Sequence, residues 1–245
     1  GVSSAASDVY KRQQIHNIAQ GGIAIFDNTG YYHAPNYIGM ESVYNKLCYF
    51  PEGAKGVTPW DFENYTPDVV LFAVGQNDPH NEGHEDFDIA DPEYRAKWKN
   101  AYKSIILDLR SKYPNATFVL LLTVLCHGEE WDKAVDEIAN ELNDEKITHF
   151  MFTRTGKATP GHPRLPEQYE MAEELTAYLS NMGDKIWGKK LKDRNNRANS
   201  TPPTQTLKAS VGANTVRPFF TQTYRFCASL LHLLSCYSQL KSCCS

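Results

Sequence analysis

Apolar positions fall into four short runs separated by longer amphipathic stretches. The runs are Ile15–Ala19, Val69–Val74, Phe118–Leu125 and His149–Thr153. The second and third are continuous rather than alternating, which is the pattern of strands covered on both faces, as in a parallel sheet. Tyr94, Trp98, Ala101, Tyr102, Ile105 and Leu109 recur at helical spacing and form one buried stripe. Asp91 and Pro92 supply an N-cap and a first-turn proline, and Pro114 stops the helix before the third strand. Trp131, Val135, Ile138 and Leu142 make a second stripe. Pro166 opens a third helix, with Ala172, Leu175 and Leu179 facing inward. Strands alternating with helices predict an α/β fold with a parallel sheet.

The chain has 245 residues and is 41% hydrophobic, enough for one globular domain with a sizeable core. Collagen, coiled coil and wholesale disorder are excluded by composition. A net charge of -4 argues against nucleic acid as a partner. No apolar run approaches the ~20 residues of a membrane-spanning helix, so no membrane partner is expected. Two cysteines in the body, Cys48 and Cys126, form neither a disulfide framework nor a CxxC metal spacing.

Both ends differ from the body. Ser3–Gln13 reads SSAASDVYKRQ, the string of a translated transposon-type sequencing adaptor, so residues 1–13 are expected to be a scar. Near Lys190 the charge changes sign. Residues 191–245 hold seven Lys/Arg and one acid, leaving 18 basic and 28 acidic residues before them. Four of the six cysteines also lie there. This stretch is expected to be a disordered or non-native tail, the alternative being a short amphipathic helix from Phe226 to Leu240. The domain proper is then 14–190.

In parallel α/β sheets the working residues lie on loops beyond the carboxyl ends of the strands. After Ala19 comes Gln20-Gly21-Gly22, and after Val74 comes Gly75-Gln76-Asn77-Asp78. After Thr153 comes Ala158-Thr159-Pro160-Gly161-His162-Pro163. A glycine offers an unobstructed N–H and an Asn side chain a second. Two such donors aimed at one point make an oxyanion hole, and a neighbouring His serves as general base. Taken singly, each has an ordinary reading as a turn, a helix cap or a surface histidine.

Together, in this order, they resemble the SGNH (GDSL-like) hydrolases. Gly75-x-Asn77-Asp78 matches the family's third block, with Pro67-Asp68-Val69-Val70 leading into it. His162-Pro163 matches the fifth block, and Gly21, or else Gly22, the second. Trp60-Asp61-Phe62 further resembles carbohydrate esterase family two, the acetyl-xylan-esterase-like branch. The resemblance spans Ile15 to Ile186. It implies a three-layer sandwich around a flavodoxin-like sheet ordered 2-1-3-4-5. It also implies ester hydrolysis through an acyl-enzyme, with His162 as general base and Gly21 and Asn77 holding the oxyanion. Gly22, Gly75 and Asp78 support them. The substrate implied is an acylated carbohydrate or another small ester. No cofactor and no metal are implied, and the intact protein would be secreted or periplasmic. The oligomeric state is not readable.

Two departures stand out. The family carries its nucleophile in a Gly-Asp-Ser block on the first strand, and none precedes Ile15. The nucleophile is therefore expected to be absent from this chain, the sheet to lack its first, central strand, and the chain as given to be inactive. Ile15–Ala19 is then expected to pair abnormally or to be poorly placed. Second, Thr159 stands where many members have an Asp three residues before the His. Members of family two can orient the His by a backbone carbonyl instead, which fits that branch; the other reading is a weakened triad. The alternative is a non-catalytic carbohydrate-binding module or pseudoenzyme. Asp78, His80, Glu82, His84, Glu85 and Asp88 cluster in sequence, but Pro79 and Gly83 oppose a regular helix and HExxH is absent, so a solvated loop is expected. Trp60, Tyr31, Tyr32 and Trp131 are candidates for a sugar-stacking wall, with core packing the plainer reading. His127 is a candidate cleft residue, and Arg164 either pairs with a substrate carboxylate or makes a surface ion pair.

Overall fold

The computed structural model describes residues 16–48, 58–79, 87–125, 128–154 and 162–187. The elements run α1 (Met40–Val43), β1 (Lys46–Cys48), β2 (Thr58–Pro59), β3 (Val69–Phe72), α2 (Pro92–Lys112), β4 (Thr117–Leu121), α3 (Glu129–Leu142), β5 (Ile147–Phe150), α4 (Leu165–Met182) and α5 (Asp184–Trp187). β3, β4 and β5 form a parallel sheet in that order, with Val69 opposite Thr117 and Phe118 opposite Ile147. β1 and β2 make a separate antiparallel pair.

β4 sets the layering. All five of its residues are buried. Phe118 and Leu120 enter a core shared with Trp98, Tyr102 and Ile106 of α2 and with Val135 and Ile138 of α3. Val119 and Leu121 point the other way, into a core with Met171, Ala172, Leu175 and Leu179 of α4. Successive strand residues face opposite sides, so the sheet is covered on both faces. The expected three-layer α/β/α sandwich is the observed one.

Local chemistry accounts for the helices. Asp91 caps α2 by accepting the Tyr94 N–H at 2.7 Å, and Pro92 fills the first turn. Asn143, in the left-handed region at φ 47°, ends α3. Arg95, Lys99 and Lys103 share one face of α2 and reach acids on α3. Arg95 meets Glu137 at 2.7 Å, Lys99 meets Glu137 at 2.8 Å and also Glu141, and Lys103 meets Glu141 at 2.8 Å.

Several boundaries differ from the hydrophobic pattern. No strand forms over His16–Gln20, while Ile15 lies outside the described residues. Ile18 is 63% exposed, and the His16 ring stacks on Tyr65 at 4.2 Å. Among the described residues nothing pairs with the outer side of β3, and this segment does not take that open edge. β3 ends at Phe72, two residues early. β4 ends at Leu121, although Leu122 and Val124 stay buried as loop. β5 begins earlier than expected, at Ile147, because Thr148 and His149 occupy strand positions that an apolar scan passes over. Residues 1–13, 191–245 and the Phe226–Leu240 helix lie outside the described residues.

Candidate functional site

Parallel strands release the chain at one edge of the sheet, so the loops after β3 and β5 emerge at the same edge. β4 lies between them, which sets the two exits two strand spacings apart, about 10 Å. The loop after β3 carries Gly75, Gln76, Asn77 and Asp78, all buried. Gly75 adopts φ 127°, a backbone conformation suited to glycine, and a Cβ there would meet Leu122 Cδ2 at 2.9 Å and Trp98 Cζ2 at 3.1 Å. The glycine lets the loop turn tightly over the core.

Asn77 and Asp78 reach from this loop to the segment that follows Gly21 and Gly22. The Asn77 side-chain N–H donates to the Ile23 carbonyl at 2.9 Å. Asp78 accepts the Ile25 N–H with both oxygens, at 3.1 and 3.3 Å, and the Trp98 indole N–H at 2.7 Å. Burial pushes the Asp78 carboxyl up to about 6, against the lowering pull of the Trp98 and Ile25 donors. Further backbone bonds hold the same segment. The Gly22, Ala24 and Ile25 carbonyls accept from the N–H groups of Tyr31, Met40 and Glu41 at 2.7, 2.8 and 3.0 Å. Gly22 has φ 76°. Asp27 then accepts from the Gly39 N–H at 2.7 Å and from the Ser42 hydroxyl.

The two loops proposed to carry oxyanion donors are thus bonded to each other, although more than fifty residues separate them in sequence. An Asn amide has two N–H groups, and the Ile23 carbonyl takes one. His162 lies in a bend three residues ahead of α4, which returns from the carboxyl edge of the sheet. Residues 155–161, including Thr159, lie outside the described residues, as do His127 and, from the acidic cluster, His80, Glu82, His84 and Glu85. Among the described residues no group of three or more His, Cys, Asp or Glu is placed to hold a metal ion.

The aromatic candidates divide. Trp131 is core, edge-on to Trp98 at 5.2 Å. Trp60 packs near His16 at 5.3 Å, Tyr32 packs against the core and Tyr31 is exposed. The Arg164 N–H donates to Glu167 at 2.7 Å, closing the first turn of α4. Helical spacing places Trp98 in the buried stripe but does not reveal its bond to Asp78. A buried indole N–H requires an acceptor, and that requirement is the signal that was available.

No family model matches the chain. It is 31% identical over 174 residues to the cellulase/esterase CelE of Acetivibrio thermocellus, a match covering 67% of this chain and 19% of that protein. It is 29% identical over 141 residues to an acetylxylan esterase/glucomannan deacetylase of Cellvibrio japonicus, covering 55% of this chain and 37% of that one. A family two carbohydrate esterase from Clostridium thermocellum, solved with cellohexaose, superposes at TM-score 0.55 with 23% identity, over 75% of this chain and 55% of its own. The fold is that of the family two carbohydrate esterases. The sequence relatives and structure neighbours are such esterases, which are SGNH-type hydrolases. The chain spans about a fifth of CelE and less than two fifths of the Cellvibrio enzyme.

Proposed function

We propose that this chain is the oxyanion-holding and base-bearing part of a serine esterase that removes O-acetyl groups from carbohydrate through an acyl-enzyme. The observation that carries the reading is the Asn77 amide donating to the Ile23 carbonyl, which ties the Gly21-Gly22 turn to the Gly75–Asp78 loop at the carboxyl edge of the sheet. Its carbohydrate esterase relatives support it.

In this reading a serine outside these 245 residues attacks the ester carbonyl. His162 takes the serine proton and passes it to the leaving sugar oxygen as the acyl C–O bond breaks, so that the sugar departs with a free hydroxyl. The Gly21 N–H and the second N–H of Asn77 hold the negative oxygen of the tetrahedral intermediate. Water then repeats the sequence on the acyl-enzyme, with His162 again as base, and releases acetate. The intact protein acts outside the cytoplasm, where polysaccharide is met, and the chain alone turns over no ester.

The test is acetate release from acetylated xylan, and nitrophenol release from nitrophenyl acetate, by a protein in which a Gly-Asp-Ser segment is joined to this chain. His162→Ala is expected to lower kcat by about 10³-fold or more, and Asn77→Ala by about 10²-fold or more. Turnover indifferent to both substitutions would overturn the reading. Thr159, three residues before the base where many members have an Asp, favours the binding-module alternative, which predicts oligosaccharide binding with no acetate release from the joined protein.

A further inference from the structure

Asp78 is 1% exposed, and among the described residues its partners are N–H donors rather than cations. A buried carboxylate without a counter-charge is destabilising unless hydrogen bonds meet it. Each of its donors belongs to a different element. Ile25 lies on the turn that follows Gly21 and Gly22, Trp98 on α2, and Asp78 itself follows β3. Tyr94 and Tyr102 of α2 also face this charge. Burial first, and then Asp78, raises both phenols. From the Ile25 segment it is a backbone N–H that meets the carboxylate.

We propose that Asp78 is a positioning residue whose carboxylate pins the Gly21–Ile25 segment to the Asn77 loop, and that the pin loosens when the carboxyl takes up a proton. In the ionised form both oxygens accept the Ile25 N–H, and one also takes the indole. Protonation turns one oxygen into an O–H donor facing another donor, so one of the two contacts to Ile25 is lost. The turn carrying Gly21 then keeps its bond to Asn77 but is less tightly held. Burial brings this proton into the mildly acidic range, about 6. The catalytic consequence rests on the esterase reading above, whereas the pin itself does not.

Proton–nitrogen NMR of the 245-residue chain across pH 4.5–8 tests the pin. The Trp98 indole N–H and the Ile25 amide are expected to shift together with a midpoint near 6, and Asp78→Asn to abolish both shifts. If Asp78→Asn does not fold, Trp98→Phe removes one donor to the charged form, and the Ile25 midpoint is expected to rise. Resonances flat across this range, or titrating unchanged in Asp78→Asn, would overturn the proposal. In the joined esterase Asp78→Asn is expected to lower kcat about tenfold or more with KM little changed, as misplacing a catalytic group does. An unchanged kcat would overturn the positioning role. Loss of all turnover in the parent esterase, with the titration intact, would instead remove the esterase reading and leave the pin.

Discussion

The Asn77 side-chain amide sits 2.9 Å from the carbonyl oxygen of Ile23, and both residues are buried. This bond closes the gap between two loops that the sequence places far apart. Asn77→Ala leaves the Ile23 carbonyl without its donor, and a buried unsatisfied acceptor costs about 1–3 kcal/mol. Urea unfolding of the isolated chain is expected to show that loss, independent of any activity.

Gly75 is fixed by space and by backbone together. At φ 127°, with Leu122 and Trp98 within 3.1 Å of where a Cβ would sit, Gly75→Ala combines strain with overpacking. The expected destabilisation is about 2–5 kcal/mol, read as a lowered midpoint in chemical denaturation. Gly128→Ala is the control, since the nearest atom to its Cβ position is Trp131 Cδ1 at 4.0 Å.

Glu137 anchors the ionic face between α2 and α3. The Arg95 guanidinium and the Lys99 ammonium hold its carboxyl down from 4.5 to about 2. A depressed carboxyl contributes stability above its unfolded value, and that contribution is lost as pH falls from 4.5 toward 2. Glu137→Gln is expected to weaken the fold at neutral pH by about 1 kcal/mol, less in high salt, because the pairs are partly exposed. Its acid unfolding curve should also be flatter between those pH values than that of the parent chain.

Asp78 gives the opposite sign. Its folded value, about 6, lies above the ordinary 3.8, so the folded state holds the proton more tightly than the unfolded chain. The corresponding stability is fully present below 3.8 and is lost as pH rises through 6. Asp78→Asn, which keeps an acceptor for Trp98 and Ile25, is expected to remove this pH-dependent loss. Unfolding free energies of the two proteins at pH 4 and pH 7 check it.

The parts of the fold legible in the sequence are those where one local pattern decides. Phe118–Leu121 is a continuous apolar run because α2 and α3 cover one face of β4 and α4 the other. The α2 stripe from Tyr94 to Ile105 and the Asp91 cap follow from spacing and side-chain chemistry alone. Ile15–Ala19 misleads because an apolar run becomes a strand only beside a partner, and His16 packs on Tyr65 instead. In the site, Gly75, Asn77 and Asp78 were legible as a block. Their partners, the Ile23 carbonyl, the Ile25 N–H and the Trp98 indole, were not, because tertiary packing rather than local spacing brings a backbone group to a side chain 53 or 54 residues away.

The most direct measurement is a crystal structure of this chain with a small oxyanion, such as acetate, at the carboxyl edge of the sheet. Two donors gripping one oxygen at about 3 Å stand no more than about 6 Å apart. The Gly21 nitrogen and Asn77 Nδ2 are both expected to contact the same oxygen, with the His162 ring facing the bound group. A structure that keeps the strand order β3-β4-β5 but turns His162 to the opposite edge from Asn77 would contradict this arrangement.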